Sequence, residues 1–297
     1  MKAAPFAYTR PSNLDGVLAE LAASGGEGKV LAGGQSLVPV LAMRLARPAV
    51  LVDINAVEGL DQISLNDGML RVGATARQRA LEQDERTAAV PLLGLALPWV
   101  GHRELRSRGT VCGSLAHADP AAELPAVAAC LDAALEIAGP GGPRTVRARE
   151  FFTGAMTTLL GADEVLVRVS FPVASRGEGF GFAEFARRHG DFALAGVAVR
   201  VRRSPPEAVL AAFGVSDRPV VREVTGLLDS SGATDADPIA DALAGPMAAL
   251  AREIVDTGGD AHASAAYRRR LFAALAAREL AQAQIRSREQ SRGEESA

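Results

Sequence analysis

The chain has 297 residues, of which 48% are hydrophobic and 4% aromatic, and its formal net charge is -3. This length allows two domains, and the slightly acidic balance argues against a nucleic-acid-binding surface. The chain has two cysteines, whereas an iron–sulfur cluster usually needs four thiolates.

The first 55 residues alternate between helical and strand-like segments. Helical spacing of apolar residues ends at Gly25-Gly26, and short apolar strands are predicted at residues 29–32 and 50–54. Between these strands Gly33-Gly34 breaks the chain, and Ser36 is suited to cap a second helix. This order is typical of an α/β unit.

The next stretch predicts antiparallel strands mixed with helices. Two apolar runs flank Asn66-Asp67-Gly68, a strong hairpin signal, and a second hairpin is predicted around residues 139–143. Helices are predicted from Pro91 to Trp99 and from Pro120 to Leu131. Residues 109–114 contain glycine and predict a turn.

Beyond a polar joint at residues 173–178 the sequence predicts a smaller α+β domain over residues 178–284. Three strand-like runs and two Ala-rich helices follow, at residues 180–187, 195–203, 209–215, 238–255 and 262–283. The tail at residues 285–297 is predicted to be disordered, because the run from Arg286 to Ala297 lacks apolar anchors.

No targeting or membrane segment is predicted. Residues Met1 to Leu14 lack the apolar core of a signal peptide. The most apolar stretch, Ala121 to Ala138, is interrupted by acidic residues and a proline, so it is too broken to span a bilayer. A cytoplasmic location is therefore expected.

The first candidate ligand site is Ala32-Gly33-Gly34-Gln35-Ser36. Its glycines can take positive φ and admit a ligand close to the backbone, and successive N–H groups in such a loop form an anion-binding nest. With a helix beginning at Ser36, the fitting guest is a phosphate. The same residues also suit a plain tight connection, so the motif alone leaves both interpretations open.

A second segment, Thr110-Val111-Cys112-Gly113-Ser114-Leu115, repeats this plan of small residues followed by a hydroxyl and a leucine. A pyrophosphate carries two negative charges, so two N–H loops that face each other would suit it. The alternative is again a turn in which Cys112 and Ser114 are small enough to pack.

The third segment runs from His117 to Glu123. Asp119 before Pro120 is a good helix start, so Asp119 is either an N-cap or a ligand contact. Glu123 lies in an apolar helical run, where a carboxylate needs a partner, and a ribose hydroxyl would serve.

The sequence lacks the motifs of other classes of site. It contains no G-x-G-x-x-G fingerprint after the first strand, no phosphate-binding Walker sequence and no nucleophile elbow. The four histidines lack metal-ligand spacing. We therefore predict neither a catalytic acid–base residue nor a metal site in this chain.

Several motifs occur along the chain in the order of a known family pattern. They include Ala-Gly-Gly-Gln-Ser-Leu-Val-Pro at 32–39 and His-Ala-Asp-Pro-Ala-Ala-Glu-Leu-Pro at 117–125, and the others lie at residues 44–48, 101–110, 113–116, 185–193 and 262–268. From Phe6 to about Leu280 the chain resembles the FAD-binding medium subunit of molybdenum hydroxylases. This family includes the medium subunits of aerobic carbon-monoxide dehydrogenases and the FAD domain of xanthine dehydrogenase.

The resemblance implies an α+β fold. It consists of a two-lobed FAD-binding domain of the p-cresol methylhydroxylase type over residues 1–174, with lobes at about 1–55 and 56–174, and a small C-terminal domain over 178–284. FAD is expected between the lobes, with its pyrophosphate on the loops at 32–36 and 111–115.

The resemblance also implies a set of FAD-binding residues. Glu123 is expected near the ribose, Leu166 on the flavin side, and the segment from Arg187 to Phe192 near the isoalloxazine ring. The full predicted set is Ala32, Gly33, Gly34, Gln35, Ser36, Leu37, Thr110, Val111, Cys112, Gly113, Ser114, His117, Asp119, Glu123, Leu166, Arg187 and Asp191.

The function implied is electron transfer without substrate binding. A large partner subunit with a molybdenum cofactor would oxidise the substrate, and a small subunit would relay electrons through iron–sulfur clusters to FAD and on to an acceptor. A dimer of heterotrimers is expected. Two alternatives stay open: a self-sufficient flavin oxidoreductase, and a flavin-free assembly or scaffold protein.

One residue departs from the family pattern. Cys112 replaces the first glycine of the second loop. If that position needs positive φ, a Cβ there costs about 1 kcal/mol or more. Cys112 is thus the support for the flavin-free alternative.

Overall fold

A computed structural model describes residues 2–229 and 231–292. The first lobe is a three-stranded parallel sheet in the order β1-β3-β2 with two helices. Its elements are β1 (Ala7–Thr9), α1 (Leu14–Ala23), β2 (Gly28–Leu31), α2 (Leu37–Ala42) and β3 (Val50–Asp53).

The parallel pairing of β2 and β3 positions the candidate site. Leu31 lies opposite Asp53, and the N–H of Ile54 donates to the carbonyl oxygen of Leu31 at 3.1 Å. Both strands therefore end at the same edge of the sheet. The loop at 32–36, which follows β2, lies beside the residues that follow β3.

The second lobe is a five-stranded sheet in the order β4-β5-β10-β6-β7 with helices packed against it. Its elements are β4 (Ile63–Asn66), β5 (Met69–Gly73), α3 (Gln78–Gln83), α4 (Pro91–Ala96), α5 (Arg103–Arg108), α6 (Val111–His117), α7 (Glu123–Leu131), β6 (Ala134–Ala138), β7 (Arg144–Arg147), α8 (Ala148–Phe151), β8 (Phe152–Gly154), β9 (Thr157–Thr158) and β10 (Val165–Pro172). Both predicted hairpins are confirmed as the antiparallel pairs β4–β5 and β6–β7.

Two predicted elements of this lobe are wrong in detail. The turn expected at 109–114 is in fact the start of α6, because Thr110 caps a helix by accepting the N–H of Gly113 on its hydroxyl. Helix α7 begins at Glu123 instead of Pro120. Pro120 lies in a turn, and its carbonyl oxygen accepts the N–H of Gly214 at 2.8 Å.

The C-terminal domain is a four-stranded antiparallel sheet in the order β11-β12-β13-β14, covered by two helices. Its elements are β11 (Glu178–Phe185), β12 (Ala195–Arg203), β13 (Pro206–Phe213), β14 (Val220–Glu223), α9 (Ala236–Ile254) and α10 (Ala265–Arg292). Side chains alternate along β11: Ala183 packs in the core shared with the helices, whereas Phe180 and Phe182 pack in the core of the second lobe. The sheet therefore joins the two domains.

The disorder predicted for the tail is wrong over residues 285–292, which continue α10. Arg286 donates from Nη1 to the carbonyl oxygen of Phe180 at 2.5 Å, and Arg288 donates from Nη2 to Asp229 Oδ2 at 2.8 Å. Ile285 packs against the core of the C-terminal domain, and these polar contacts hold the residues that follow it. Residues 293–297 lie outside the described residues.

The helices within residues 2–229 and 231–292 also bear on the question of membrane spans. Each of them falls short of the length or the apolar character needed to cross a bilayer.

Candidate functional site

A cleft of about 460 Å³ opens where β2 and β3 end and α5 faces them. It is lined by Leu31, Ala32, Gly33, Gly34, Gln35, Val38, Pro39, Asp53, Asn55, Leu105 and Arg108. The first lobe contributes most of this lining and the second lobe contributes the last two residues. The cleft therefore lies between the lobes.

The first loop, which lines the cleft through residues 32–35, contains a row of unpaired backbone donors. In the described part of the chain, the N–H groups of residues 33–37 have no hydrogen-bond acceptor. Gly34 has a φ of 73°, in the left-handed region that favours glycine. The side chain of Gln35 folds back, with Nε2 donating to the carbonyl oxygen of Gly33 at 3.3 Å. Unpaired N–H groups in a curved loop are suited to an anion.

Gly33 brings this loop against the segment that leads into the second one. A Cβ on Gly33 would lie 2.4 Å from the carbonyl oxygen of Arg108 and 2.8 Å from the Cα of Gly109. Any side chain here would force the two backbones apart. Glycine is thus required by close approach, and the loops predicted to work together are adjacent.

The second loop is more self-contained than the sequence suggests. The N–H of Val111 donates to the carbonyl oxygen of Ala76 at 3.4 Å, and the N–H of Gly113 donates to the hydroxyl of Thr110 at 3.0 Å. The N–H of Ser114 donates to the carbonyl oxygen of Thr110 at 3.1 Å. The first loop therefore offers more free donors than the second.

Cys112 is the second residue of α6 and has a helical backbone. The left-handed conformation considered for this position is therefore wrong. The Cβ of Cys112 carries no cost from a positive φ. The thiol is buried and lies 3.6 Å from the carbonyl oxygen of Val72, and burial raises its pKa to about 12. Cys112 thus gives no support to the flavin-free alternative.

Replacement of Cys112 by glycine, the residue usual in the family, is expected to destabilise the chain. Glycine costs about 1 kcal/mol in a helix interior, and loss of a buried side chain adds a cavity term, so the free energy of unfolding should fall by about 2 kcal/mol. Urea denaturation measures this change. If stability is unchanged and FAD binding tightens, the helical assignment of Cys112 is contradicted.

The third segment has a different local structure from the one predicted. Asp119 does not cap α7, whose N-cap is Ala122; instead Asp119 Oδ1 accepts the N–H of Ala121 at 2.9 Å within a turn. His117 is the last residue of α6 and half-buried, and burial lowers its pKa. Ligand contact by Asp119 and His117 stays a prediction.

Glu123 is buried at the start of α7, and burial raises its pKa to about 7. A second carboxyl group, Glu184 on β11, belongs to the same surroundings. Both of its oxygens lack a hydrogen-bond donor among the described residues. Burial, with a smaller contribution from the charge of Glu123, raises the pKa of Glu184 to about 8. No sequence motif singles out Glu184.

Of the predicted set, Ala32, Gly33, Gly34 and Gln35 line the cleft, and the other predicted residues lie outside its lining. Leu166 is 4% exposed and belongs to the core of the second lobe. Arg187 and Asp191 face each other at 3.9 Å. Their loop packs on the residues before α5, because a Cβ on Gly190 would lie 2.5 Å from the ring of His102. The flavin contacts expected of these residues stay predictions.

The structure adds residues that the sequence analysis missed. Asp53, Asn55 and Arg108 line the cleft, and the guanidinium of Arg108 has no hydrogen bond or ion pair in the described ranges. A signal was present: polar residues follow an apolar strand at Asp53-Ile54-Asn55. It becomes meaningful once β2 and β3 are known to be parallel neighbours, because residues after such strands meet at one edge.

These features fit a pyrophosphate. Free N–H groups and one unpaired guanidinium are the donors that phosphate oxygens accept. Gly33 and Gly34 both line the cleft, and without side chains they leave their backbone uncovered there. The cleft between the lobes supplies room for a ligand that carries more than the phosphates.

Comparison with known proteins adds independent information. A family model for the FAD binding domain in molybdopterin dehydrogenase matches residues 4–174. The chain is 35% identical over 289 residues to caffeine dehydrogenase subunit beta from Pseudomonas sp. (strain CBB1), which covers 95% of this chain and 96% of that protein.

Solved structures give the same result. Carbon monoxide dehydrogenase from Hydrogenophaga pseudoflava matches with a TM-score of 0.86 at 30% identity, over 96% of this chain and 99% of that one. Quinoline 2-oxidoreductase from Pseudomonas putida 86 matches with a TM-score of 0.81 at 34% identity, over 96% and 100%. The predicted fold class, a two-lobed FAD-binding domain followed by a small α+β domain, is confirmed.

Proposed function

Because this chain belongs to the family of FAD-binding subunits of molybdenum hydroxylases, we propose that it passes electrons from the iron–sulfur clusters of a partner subunit through FAD to an external acceptor. The chain is an oxidoreductase subunit with FAD as its cofactor. A small iron–sulfur subunit and a large molybdenum subunit would complete the complex, as a dimer of heterotrimers. A cytoplasmic location stays a prediction from the sequence.

The observation that carries this proposal is the cleft between the lobes. Residues 33–37 would hold the pyrophosphate with their free N–H groups, and Arg108 would add a positive charge. Glu123 would accept hydrogen bonds from hydroxyl groups of the ribose. Bound FAD accepts electrons singly and delivers them one or two at a time. The chain itself then needs to bind and orient the cofactor.

The cysteines support a division of labour between subunits. Cys112 and Cys130 are both buried, and burial raises the pKa of each thiol to about 12. A cysteine binds a metal as its thiolate, so neither residue is suited to hold a cluster. The clusters would therefore belong to a partner, and the substrate would be chosen in the large subunit.

The test is an FAD-removal experiment on the complex purified through a tag on this chain. Anaerobic addition of the complex's substrate should still bleach the iron–sulfur absorption after FAD has been removed, whereas reduction of the external acceptor should stop. Added FAD should restore it. These results would place FAD after the clusters in the electron path.

Three outcomes would contradict the proposal. Acceptor reduction that continues at full rate without FAD would remove this chain from the electron path. Reduction of FAD by the organic substrate in the isolated chain would instead support a self-sufficient flavin oxidoreductase. Failure of the isolated chain to bind FAD would favour the scaffold alternative.

A further inference from the structure

Two polar side chains connect the loops of the cleft by hydrogen bonds: Asn55, which lines the cleft, and Arg77, which does not. Asn55 donates from Nδ2 to the carbonyl oxygen of Ala32 at 2.9 Å and accepts at Oδ1 from Nη2 of Arg77 at 2.6 Å. Arg77 also donates from Nη1 to the carbonyl oxygen of Arg108 at 2.7 Å. An unbroken chain of bonds thus runs from the first loop to the segment that leads into the second.

The orientation of the Asn55 amide is fixed by its surroundings. Its Nδ2 also donates to Asp53 Oδ1 at 2.6 Å, and its backbone N–H donates to the same oxygen at 2.9 Å. The other oxygen of Asp53 accepts the hydroxyl of Tyr8 at 2.6 Å. Because an ionised carboxylate only accepts hydrogen bonds, the amide must turn its NH₂ group toward Asp53 and its oxygen toward Arg77.

Arg77 is held from the other lobe. It is the N-cap of α3 and pairs with Thr110 in an isolated antiparallel bridge. The next residue, Gln78, donates its N–H to the carbonyl oxygen of Gly109 at 2.9 Å. The guanidinium therefore extends from a backbone already fixed on the second loop to Asn55, which belongs to the first lobe.

The bond to Ala32 has a directional consequence for the first loop. The carbonyl of Ala32 and the N–H of Gly33 belong to one planar trans peptide unit, so they point in opposite directions. A carbonyl held by Asn55 therefore turns the Gly33 N–H away from Asn55. The carbonyl of Arg108, which Arg77 holds, is the atom that a Cβ on Gly33 would approach most closely.

We infer that Asn55 and Arg77 are positioning residues for the FAD pyrophosphate: they set the separation of the two loops and the direction of the first donor in the row. This inference rests on the proposed function. Both side chains act through backbone carbonyls of the loops. Affinity for FAD and the surroundings of its phosphates should therefore depend on them.

The test compares Asn55→Asp and Arg77→Met with wild type. Aspartate keeps the shape of Asn55 but removes the donors to Ala32 and Asp53, and methionine keeps an unbranched stem but removes both bonds of Arg77. The Kd for FAD, from quenching of flavin fluorescence in the full-length chain freed of FAD, should rise about tenfold or more in each. Arg79→Met is the matched control, because Arg79 lies two residues further along, within α3, and pairs with Glu82.

A second measurement separates positioning from general loss of stability. At saturating FAD, the ³¹P resonances of the bound pyrophosphate should shift in both variants and stay in place in Arg79→Met. Arg77→Lys, which keeps the charge but cannot donate to two oxygens in a fork, serves if Arg77→Met fails to fold, and it should show the same shift.

A Kd within twofold of wild type, or superimposable ³¹P spectra, would overturn the inference. If wild type itself fails to bind FAD, the proposed function fails instead, so the two failures are distinguishable.

Discussion

Replacement of Gly33 by alanine is expected to weaken FAD binding by about 10- to 100-fold. The added Cβ would lie 2.4 Å from the carbonyl oxygen of Arg108 and 2.8 Å from the Cα of Gly109. Both contacts are with backbone, so relief requires the loops to separate. Overpacking of this kind costs about 1–3 kcal/mol, and about 1.4 kcal/mol corresponds to a tenfold change in affinity. Titration of the FAD-free chain with FAD measures the effect.

The matched control is Gly94→Ala. A Cβ on Gly94, in α4, would meet no atom within 4 Å, and alanine is favoured over glycine in a helix. This variant should bind FAD like wild type and unfold at a slightly higher urea concentration. If Gly33→Ala also binds FAD like wild type, the close approach of the loops is not needed for the cofactor.

The second large expected effect is a loss of stability at high pH that is caused by Glu184. The pKa of this buried carboxyl group is raised from 4.5 to about 8, so the folded chain binds its proton more tightly than the unfolded chain. The contribution of this group to the free energy of unfolding is fully present below pH 4.5 and is lost as the pH rises through about 8. Glu184→Gln, which stays neutral, should remove that loss.

Urea denaturation of the FAD-free chain at pH 5 and pH 8 tests this expectation. A tenfold change in proton affinity corresponds to about 1.4 kcal/mol, so wild type should lose on the order of 2–4 kcal/mol more than Glu184→Gln between these values. Glu20→Gln, at an exposed position on α1, should follow wild type. Equal losses in wild type and Glu184→Gln would show that Glu184 ionises freely or is not buried in solution.

The sequence predicts much of the fold because local patterns and the global structure agree. The hairpin signal at 66–68 is strong because few residues tolerate the left-handed turn that Asp67 and Gly68 adopt. The same reasoning fails at 109–114, where small residues look like a turn. There Thr110 caps a helix that is stabilised by its contacts with β5 and β10, and no local pattern reports those contacts.

The sequence predicts the part of the candidate site in which backbone groups would bind the ligand. It does not predict the part in which side chains form hydrogen bonds between the lobes. Gly33 and Gly34 can be recognised from the sequence, because two consecutive glycines indicate a loop whose backbone a ligand can approach. Asn55 and Arg77 cannot, because their meaning depends on which strands are neighbours and on two segments that meet only in the folded chain. The predicted domain limits and the individual FAD contacts stay predictions.

Because α10 extends to Arg292, the C-terminal segment up to that residue is folded and should be protected from proteases. A disordered tail would offer Arg286 and Arg288 to trypsin, but both guanidinium groups are bound to the C-terminal domain, and Ser287 between them is 1% exposed. Trypsin needs an extended segment, so these bonds should resist cleavage while the helix is folded. A chain shortened to residue 284 would lose these contacts with β11 and with Asp229.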